Sequence, residues 1–555
     1  MCVWLAGCSG DGAPRSAVPD ASGTQGSPSG GGANGGRDAS SQGGESANGG
    51  AAAGGTAGTT ASGGASNGGA SNRTRGADGG PKDAAPGDGA DGGSVTGAIR
   101  DGGADGSGAD ASGDGDSLAM PIPEVLVPTS TDATTDHYSI TVKPGTARMR
   151  AGAATPIVGF DGIFPGPTIV ATKGRTVQVT QTNGWKENIT IHNHGHKAPA
   201  SSDGHPIDYV MPGASKVYTY PNDQNAATYW YHDHAMDLSG SHVYGGLAGF
   251  YIIHDPAEDA LGLPSGKYDV PLMIQDKTLN DDNTLSYSTA SDGPGFLGKL
   301  GLVNGVVSPH FDVDTHRYRF RILNGSNARI FKLALRSGQS FQVVGSDGGL
   351  LGSPVSVTEL IMAPAERYDV VVDFSKSAVG TVDALTNTDG SSPLITDLVE
   401  FRVKNAVTDD SSVPAKLGQI TRFEEAQSAG TATWTFSQDF SGSGSTWVIN
   451  DKAYDPARLD QVSHLGSVYV WTIINASTFV HPFHKHLTEF QVLDIDGQPP
   501  PPEESGWKDT VRVGAGSIVR IIFADQTYTG TYVFHCHILE HEDHRMMLQE
   551  SVVSP

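Results

Sequence analysis

Cysteine is scarce in this chain of 555 residues, which holds only Cys2, Cys8 and Cys536. Two of the three lie in the first eight residues, so the rest of the chain has no pair for an internal disulfide bond. Basic residues are also few, with 36 Lys and Arg against 61 Asp and Glu. That balance argues against nucleic-acid binding and against electrostatic docking on an anionic membrane. The sequence has no run of about 18 apolar residues, so no transmembrane helix is expected.

The first 120 residues lack the apolar side chains from which a hydrophobic core is built. They hold 35 of the 74 glycines of the chain, in runs such as Gly30–Gly36. Such a segment cannot offset the entropic cost of ordering its backbone. We therefore predict a long disordered, glycine-rich N-terminal segment, in which residues 9–120 form a flexible tether.

The tether follows a short motif, Leu5-Ala-Gly-Cys8, that resembles the lipobox of bacterial lipoproteins. In a lipobox the Cys is acylated and becomes the mature N-terminus. The apolar run before Cys8 is short and no Lys or Arg precedes it, so the secretory signal is incomplete. Residues 1–8 are interpreted as a signal remnant with membrane anchoring through acylated Cys8, the alternative being an ordinary free cysteine. An extracytoplasmic location in a bacterium, as a cell-envelope lipoprotein or a secreted protein, is expected.

From Pro121 onward, short β-rich runs alternate with turn residues. The runs have period 2 or are wholly apolar, and Asn-Gly, Asp-Gly and Pro-Gly pairs bound them. Short strands at regular spacing predict an all-β fold of sandwiches or barrels. Breaks in this pattern divide the folded part into residues 121–257, 258–405 and 429–555, with a linker at 406–428.

Histidine is concentrated in four short motifs of the predicted all-β region. Side chains two residues apart on a strand share one face of a sheet. Each His-x-His pair therefore directs two imidazoles to one point, and the residue between them faces the opposite way. The motifs are His192-Asn-His194, His232-Asp-His234, His481-Pro-Phe-His484-Lys-His486, and His535-Cys536-His537 with His541 and Met546 after it.

This spacing predicts two metal sites placed back to back. One site has His481, Cys536, His541 and Met546, and a His₂Cys set with a weak axial Met is typical of a blue-copper electron-transfer centre. Eight imidazoles without a carboxylate suit copper better than magnesium or manganese, and zinc has no use for so large a cluster. The second site collects His192, His194, His232, His234, His484, His486, His535 and His537.

At these motifs the sequence resembles the multicopper oxidases, from about Pro121 to Met547. Flanking motifs such as Phe164-Pro-Gly-Pro-Thr168 and Gly506-Trp-Lys-Asp509 resemble the three-domain branch. That branch contains the bacterial spore-coat laccases, bilirubin oxidase and phenoxazinone synthase. The resemblance implies three consecutive cupredoxin-like Greek-key β-sandwich domains and four copper ions, with the type 1 copper in the third domain.

The resemblance also implies a role for each site residue. The type 1 copper would be held by His481, Cys536 and His541, with Met546 rather than the adjacent Met547 as axial ligand. Cys536 would also carry electrons to the other centre. Glu542 and Asp203 match acids that the family uses near the oxygen site, the alternative being surface or loop-capping acids. The type 2 copper would be held by His192 and His484, and the type 3 pair by His194, His232, His234, His486, His535 and His537.

The activity implied is that of a laccase-like oxidase. It would couple one-electron oxidation of phenols or aromatic amines to four-electron reduction of O₂ to water, so its partners would be a small-molecule reducing substrate and O₂. A metallo-oxidase acting on Cu(I) or Mn(II) is the alternative, and nine Met without a Met-rich segment argue weakly against Cu(I). A non-enzymatic envelope protein is less favoured because all ten His and the Cys are present. Arg367 is interpreted as a structural part of the second sandwich.

Overall fold

The computed structural model describes residues 117–288, 293–441 and 446–555. The predicted signal remnant at 1–8 and almost all of the predicted tether at 9–120 lie outside these residues. Strands predominate in the described part, which confirms the all-β prediction. No helix among the described residues is long and apolar enough to cross a membrane.

The first β-sandwich occupies residues 130–254 and consists of two sheets. Its strands are β1 (Ser130–Thr131), β2 (Thr135–Ala147), β3 (Thr155–Phe160), β4 (Gly166–Thr172), β5 (Thr176–Asn183), β6 (Ile191–His194), β7 (Ser215–Tyr220), β8 (Ala227–Asp233) and β9 (Ala248–His254). One sheet has the order β1-β2-β5-β7, with β3 beside β2, and the other has the order β4-β9-β8-β6. Two short helices, α1 (Ala200–Asp203) and α2 (Ser239–Gly245), lie in its connections.

The second β-sandwich occupies residues 269–405 and follows two 3₁₀ helices, Pro256–Leu261 and Gly266–Tyr268. Its strands are β10 (Asp269–Leu279), β11 (Leu285–Ser286), β12 (Leu300–Val303), β13 (Val306–Val307), β14 (His310–Asp314), β15 (Arg317–Asn324), β16 (Phe331–Leu335), β17 (Phe341–Ser346), β18 (Gly349–Val357), β19 (Leu360–Met362), β20 (Arg367–Asp373), β21 (Val382–Asn387) and β22 (Asp397–Asn405). One sheet has the order β13-β12-β10-β15-β20-β17-β18, with β11 beside β10, and the other has the order β14-β22-β21-β16-β19.

The third β-sandwich occupies residues 428–553 and begins after the 3₁₀ helix Glu425–Gln427. Its strands are β23 (Ser428–Asp439), β24 (Thr446–Ile449), β25 (Gln461–His464), β26 (Val468–Asn475), β27 (His481–Lys485), β28 (Gln491–Ile495), β29 (Thr510–Val513), β30 (Ile518–Ala524), β31 (Gly530–Cys536) and β32 (Met547–Val553). The sheets have the orders β24-β23-β26-β30-β28 and β25-β32-β31-β27-β29. The 3₁₀ helix Pro502–Glu504 precedes β29, and α3 (Leu539–Asp543) joins β31 to β32.

Each sandwich contains parallel neighbours among its mostly antiparallel strands. The parallel pairs include β2 with β5, β10 with β15, and β23 with β26. A two-residue hairpin cannot join parallel strands, so the chain must cross over between them. These crossovers agree with the Greek-key connections implied by the family resemblance.

The last residues of the predicted tether belong to the folded part of the chain. Met120 is buried in the core of the second sandwich. Its backbone N–H donates to the carbonyl of His310 over 2.7 Å, and the N–H of His310 donates to the carbonyl of Leu118 over 3.0 Å. The predicted boundary at residue 120 is therefore a few residues late, because Met120 is buried in the second sandwich and the backbone around it pairs with β14.

Candidate metal centres

Strands β27 and β31 place the two predicted sites on opposite faces of one sheet. Their antiparallel register sets Phe483 opposite Cys536 and His484 opposite His535. Directly opposed residues project to the same face, and the next residue projects to the other face. His481 therefore shares the face of Cys536, whereas His484 shares the face of His535. This is the back-to-back arrangement that the spacing predicts.

On the first of these faces, His481, Cys536 and His541 bring three donor atoms together. The Cys536 Sγ lies 3.4 Å from Nδ1 of His481 and 3.7 Å from Nδ1 of His541. The two nitrogens are 3.2 Å apart, and all three side chains are buried. The opposite ring nitrogens are held by Oγ of Ser477 at 2.9 Å and by the carbonyl of Gly293 at 3.0 Å. Both Nδ1 atoms are thus directed toward the sulfur.

Met546 and Met547 pack in different cores. Met546 belongs to the same buried cluster as Cys536 and Phe483, whereas Met547 packs with Tyr454 and Val533. The Met546 carbonyl accepts a hydrogen bond from the Cys536 N–H at 3.1 Å, which ties the two residues together. The packing therefore supports Met546, and not Met547, as the axial side chain.

The eight remaining predicted histidines converge between the first and third sandwiches. In the first sandwich, β6 and β8 are antiparallel neighbours with His192 opposite His232. All eight side chains are buried. Their donor atoms form triads in which every atom lies within 4.8 Å of the others: His192 with His194 and His484, His194 with His232 and His537, and His234 with His486 and His535.

Several of these imidazoles have one ring nitrogen held and the other without a partner. The Nδ1 of His192 lies 2.6 Å from the carbonyl of Asp203, and the Nδ1 of His484 lies 2.8 Å from the carbonyl of Asp509. The buried Nε2 atoms of both rings have no hydrogen-bond partner. A bare buried polar atom is costly, so a cluster of them fits metal ions as the partners.

Burial lowers the pKa of these imidazoles because a low-dielectric interior disfavours their charged form. The pKa falls to about 4 for His232 and to about 3 for His535 and His481. Neutral imidazole is the form that binds a metal ion. Burial also raises the pKa of the Cys536 thiol, so a bound cation is needed to hold it as a thiolate. The donors present fit copper at both centres.

Asp203 and Glu542, the two predicted proton-handling acids, both lie beside the imidazole cluster. Oδ2 of Asp203 is 2.8 Å from Nδ1 of His486. The Glu542 carboxylate is 3.2 Å from Nδ1 of His234, and it accepts a 2.6 Å hydrogen bond from the Ser239 hydroxyl. Burial raises the pKa of Asp203 to about 8 and that of Glu542 well above its ordinary value. In both residues burial thus favours the protonated carboxyl over the carboxylate.

Two further residues contact the centres without having been predicted to do so. The Trp447 ring centroid is 4.7 Å from that of His481 and 4.5 Å from that of His541. Oδ1 of Asp509 is 2.9 Å from Nε2 of His194, across 315 residues of chain. Asp509 ends the flanking motif Gly506-Trp-Lys-Asp509, but neither its type nor its spacing indicates this contact.

Comparisons with known proteins identify the family. Family models described as multicopper oxidase match residues 141–258, 254–383 and 419–554. The chain is 36% identical over 509 residues to a laccase of Bacillus subtilis (strain 168), covering 79% of this chain and 98% of the laccase. A multi-copper oxidase structure from Pediococcus acidilactici is similar, with a TM-score of 0.74, 32% identity, and coverage of 80% of this chain and 92% of that one. A multicopper oxidase from Campylobacter jejuni, described as a metallo-oxidase, gives a TM-score of 0.70, 28% identity, and coverage of 79% and 96%. The chain therefore belongs to the multicopper oxidase family and is a copper-dependent oxidase that uses O₂.

Proposed function

We propose that this oxidase is laccase-like and takes single electrons from phenols or aromatic amines. The observation that carries the proposal is the pair of buried donor sets that share one strand pair and meet at Cys536. The laccase of Bacillus subtilis, which the chain matches over nearly that protein's whole length, supports the choice of substrate class.

We assign the mononuclear type 1 copper to the first donor set: His481, Cys536 and His541 would hold it, with Met546 as the weak additional ligand. When bound, the mononuclear copper supplies one-electron oxidation of the substrate, and the three-copper centre supplies four-electron reduction of O₂ to water. We assign the type 2 copper to His192 and His484, and the type 3 pair to His194, His232, His234, His486, His535 and His537.

Cys536 connects the two centres through the chain itself. Its sulfur belongs to one donor set, and its neighbours His535 and His537 belong to the other. The covalent path between the centres is thus no longer than three consecutive residues. All three side chains are buried, so water is excluded from this path.

Reduction of O₂ to water consumes protons as well as electrons, and we assign their delivery to Asp203 and Glu542. Each carboxyl lies at a ligand imidazole and is shielded from solvent. Burial raises the pKa of both carboxyls and so favours their protonated form, from which each can release a proton at a carboxyl oxygen. The Ser239 hydroxyl, hydrogen-bonded to Oε1 of Glu542, fixes the orientation of that carboxyl.

A metallo-oxidase acting on Cu(I) or Mn(II) is the second candidate. The similarity to the Campylobacter jejuni protein described as a metallo-oxidase favours it. Both candidates use the same copper ligands and differ only in the electron donor. The choice between them therefore depends on the donor, and not on the metal centres.

Oxygen uptake with the copper-loaded protein tests these candidates. A methoxyphenol is offered in one cell and Cu(I) in another, with the Cys536→Ser variant beside each. Rapid uptake with the phenol, consuming about four substrate electrons per O₂ and lost in the variant, is expected for a laccase. Uptake with Cu(I) alone would replace the laccase proposal with a metallo-oxidase, and uptake with neither donor would contradict both.

We also propose that the protein is exported and anchored in a bacterial envelope through acylated Cys8. The Leu5-Ala-Gly-Cys8 motif and the glycine-rich sequence after it support this proposal. In a bacterial host, the wild-type chain should fractionate with membranes, whereas a Cys8→Ser variant should be released. Equal amounts of both proteins in the soluble fraction would contradict the anchor.

A further inference from the structure

The second β-sandwich supplies no predicted copper ligand, yet two of its buried residues contact Asp509, which lies against the imidazole cluster. Arg367, at the start of β20, donates from Nη1 and Nη2 to the two carboxylate oxygens of Asp509 at 2.6 and 2.5 Å. Asp347, between β17 and β18, accepts hydrogen bonds from the backbone N–H groups of Asp509 and Thr510 at 3.2 and 3.3 Å. The start of β29 is therefore held in place by the second sandwich.

Asp509 transmits this contact to His194. Its Oδ1 lies 2.9 Å from Nε2 of His194, and the Thr510 hydroxyl lies 3.1 Å from the same nitrogen. An ionised carboxylate only accepts hydrogen bonds, so Nε2 must carry the ring proton. The lone pair is then on Nδ1, which is buried and has no hydrogen-bond partner.

His194 is turned the opposite way from three of the imidazoles around it. In His192, His232 and His484, Nδ1 lies against a backbone carbonyl and Nε2 is the bare nitrogen. In His194, Nε2 is held and Nδ1 is bare. In those three rings a backbone carbonyl holds Nδ1, whereas in His194 the carboxylate of Asp509 holds Nε2.

Gly195 makes room for this carboxylate. Its φ is +80°, in the left-handed region that favours glycine. A Cβ at this position would lie 2.3 Å from Oδ2 of Asp509 and 2.8 Å from Nη2 of Arg367. The chain next to His194 is thus shaped around the Arg367–Asp509 pair.

We propose that Asp509, held by Arg367 and Asp347, is a positioning residue that fixes His194 as an Nδ1 donor to a type 3 copper. The proposal rests on the proposed function, because it requires His194 to be a copper ligand. Arg367 donates to both carboxylate oxygens, which holds Asp509 with Oδ1 toward His194. The second sandwich therefore contributes to copper binding without supplying a ligand.

The Asp509→Asn variant tests the proposal, because it keeps the shape of the side chain and changes one oxygen to an N–H donor. The amide must then direct its N–H₂ group toward either Arg367 or His194. If this group faces His194, it needs an acceptor there, so it favours the tautomer whose proton is on Nδ1. We expect copper affinity at the type 3 pair to fall about 10–100-fold. Blue absorption from the type 1 copper should remain.

Two measurements report the effect besides activity: total copper per chain at limiting free copper, and electron paramagnetic resonance. The resonance detects isolated Cu(II) and not a magnetically coupled pair, so loss of one type 3 copper should add signal from the other. Asp276→Asn is the control, because Asp276 also forms a buried pair with an arginine, Arg329, at 2.8 Å in the second sandwich. Arg367→Lys, which keeps the charge but not the two-pronged contact, should show a smaller loss.

The proposal would be overturned if Asp509→Asn kept its full copper content and its type 3 pair still gave no paramagnetic resonance signal. Equal copper loss in Asp276→Asn would also overturn it, because the effect would then come from lost stability. A wild-type chain that binds no copper or takes up no O₂ would instead contradict the proposed function. The two failures are therefore distinguishable.

Discussion

Met546, the proposed axial ligand, is a single side chain whose replacement should change the reduction potential of the mononuclear copper. A weak thioether ligand stabilises Cu(II), so its removal should raise the reduction potential. We predict a higher type 1 potential in Met546→Leu, a swap that keeps the side-chain volume and costs less than about 1.5 kcal/mol of stability. Redox titration of the blue absorption measures it.

Met547→Leu is the matched control for this prediction. Met547 packs with Tyr454 and Val533 rather than with Cys536. The type 1 reduction potential of the Met547→Leu variant should therefore equal that of the wild-type protein. A shift in Met547→Leu with none in Met546→Leu would move the axial role by one residue.

His242 should make stability depend on pH. Burial lowers its pKa, but Asp233, 2.7 Å from its Nδ1, and Glu187 outweigh that effect, so the pKa of His242 is raised. A raised pKa in the folded state stabilises the protein below the ordinary His value, and the gain is lost as pH rises through the folded pKa. His242→Gln should lose about 1.5–3 kcal/mol of unfolding free energy at mildly acidic pH and less in alkali. Thermal midpoints at the two pH values measure the trend.

His205 is a control residue whose pKa shifts in the opposite direction from that of His242. Burial lowers its pKa, so its charged form is disfavoured in the folded state. The wild-type chain therefore loses stability from His205 as the pH falls, and His205→Gln should cost least in acid. If both variants followed the same pH trend, the assignment of a charged His242 would be wrong.

At the scale of secondary-structure elements, the five-residue helix α3 carries His541 and Glu542 and is held by its own Glu540. The Glu540 carboxylate accepts hydrogen bonds from Tyr287 Oη, Asn327 Nδ2 and the Phe296 N–H at 2.7, 2.8 and 3.1 Å. A Gln at this position would set an N–H₂ group against one of these donors, at a cost of about 1–3 kcal/mol. We predict that Glu540→Gln lowers the thermal midpoint and speeds the loss of blue absorption to a chelator.

Tyr287→Phe is the graded comparison for α3, because it removes one donor and leaves the carboxylate with two. Its chelator sensitivity should lie between those of the wild type and Glu540→Gln. Identical chelation rates in all three proteins would show that α3 does not depend on Glu540 to hold His541.

The elements also show which parts of the site can be predicted from sequence. The His-x-His pairs in β6 and at the ends of β8 and β27 could be found because strand alternation is a local rule that fixes the face of each side chain. The contact of Asp509 with His194 could not, because it depends on how the first and third sandwiches meet. Arg367 was correctly placed in the second sandwich, but its guanidinium reaches a residue of the third. Contacts between domains carry no periodic signal.

At the scale of the whole molecule, the ligands assigned to copper lie in the first and third sandwiches. The second sandwich holds the start of β29, a strand of the third, through Arg367 and Asp347. Residues 1–116 include none of these ligands. We therefore predict that a chain starting at residue 117, with an initiator Met, keeps the copper content and oxygen uptake of the full-length protein. Loss of copper on this truncation would contradict a tether role for the N-terminal residues.

A cut four residues later should behave differently, because Leu118 and Met120 pair with His310 and Met120 fills the second core. Removing a buried Met side chain leaves a cavity that costs about 2 kcal/mol or more. A chain starting at residue 121 should therefore have a lower thermal midpoint than the chain starting at 117, with the same copper ligands. Since Arg367 and Asp347 lie in the sandwich that Met120 fills, its type 3 copper should also dissociate sooner on warming. Equal midpoints for the two truncations would show that the folded molecule begins after Met120.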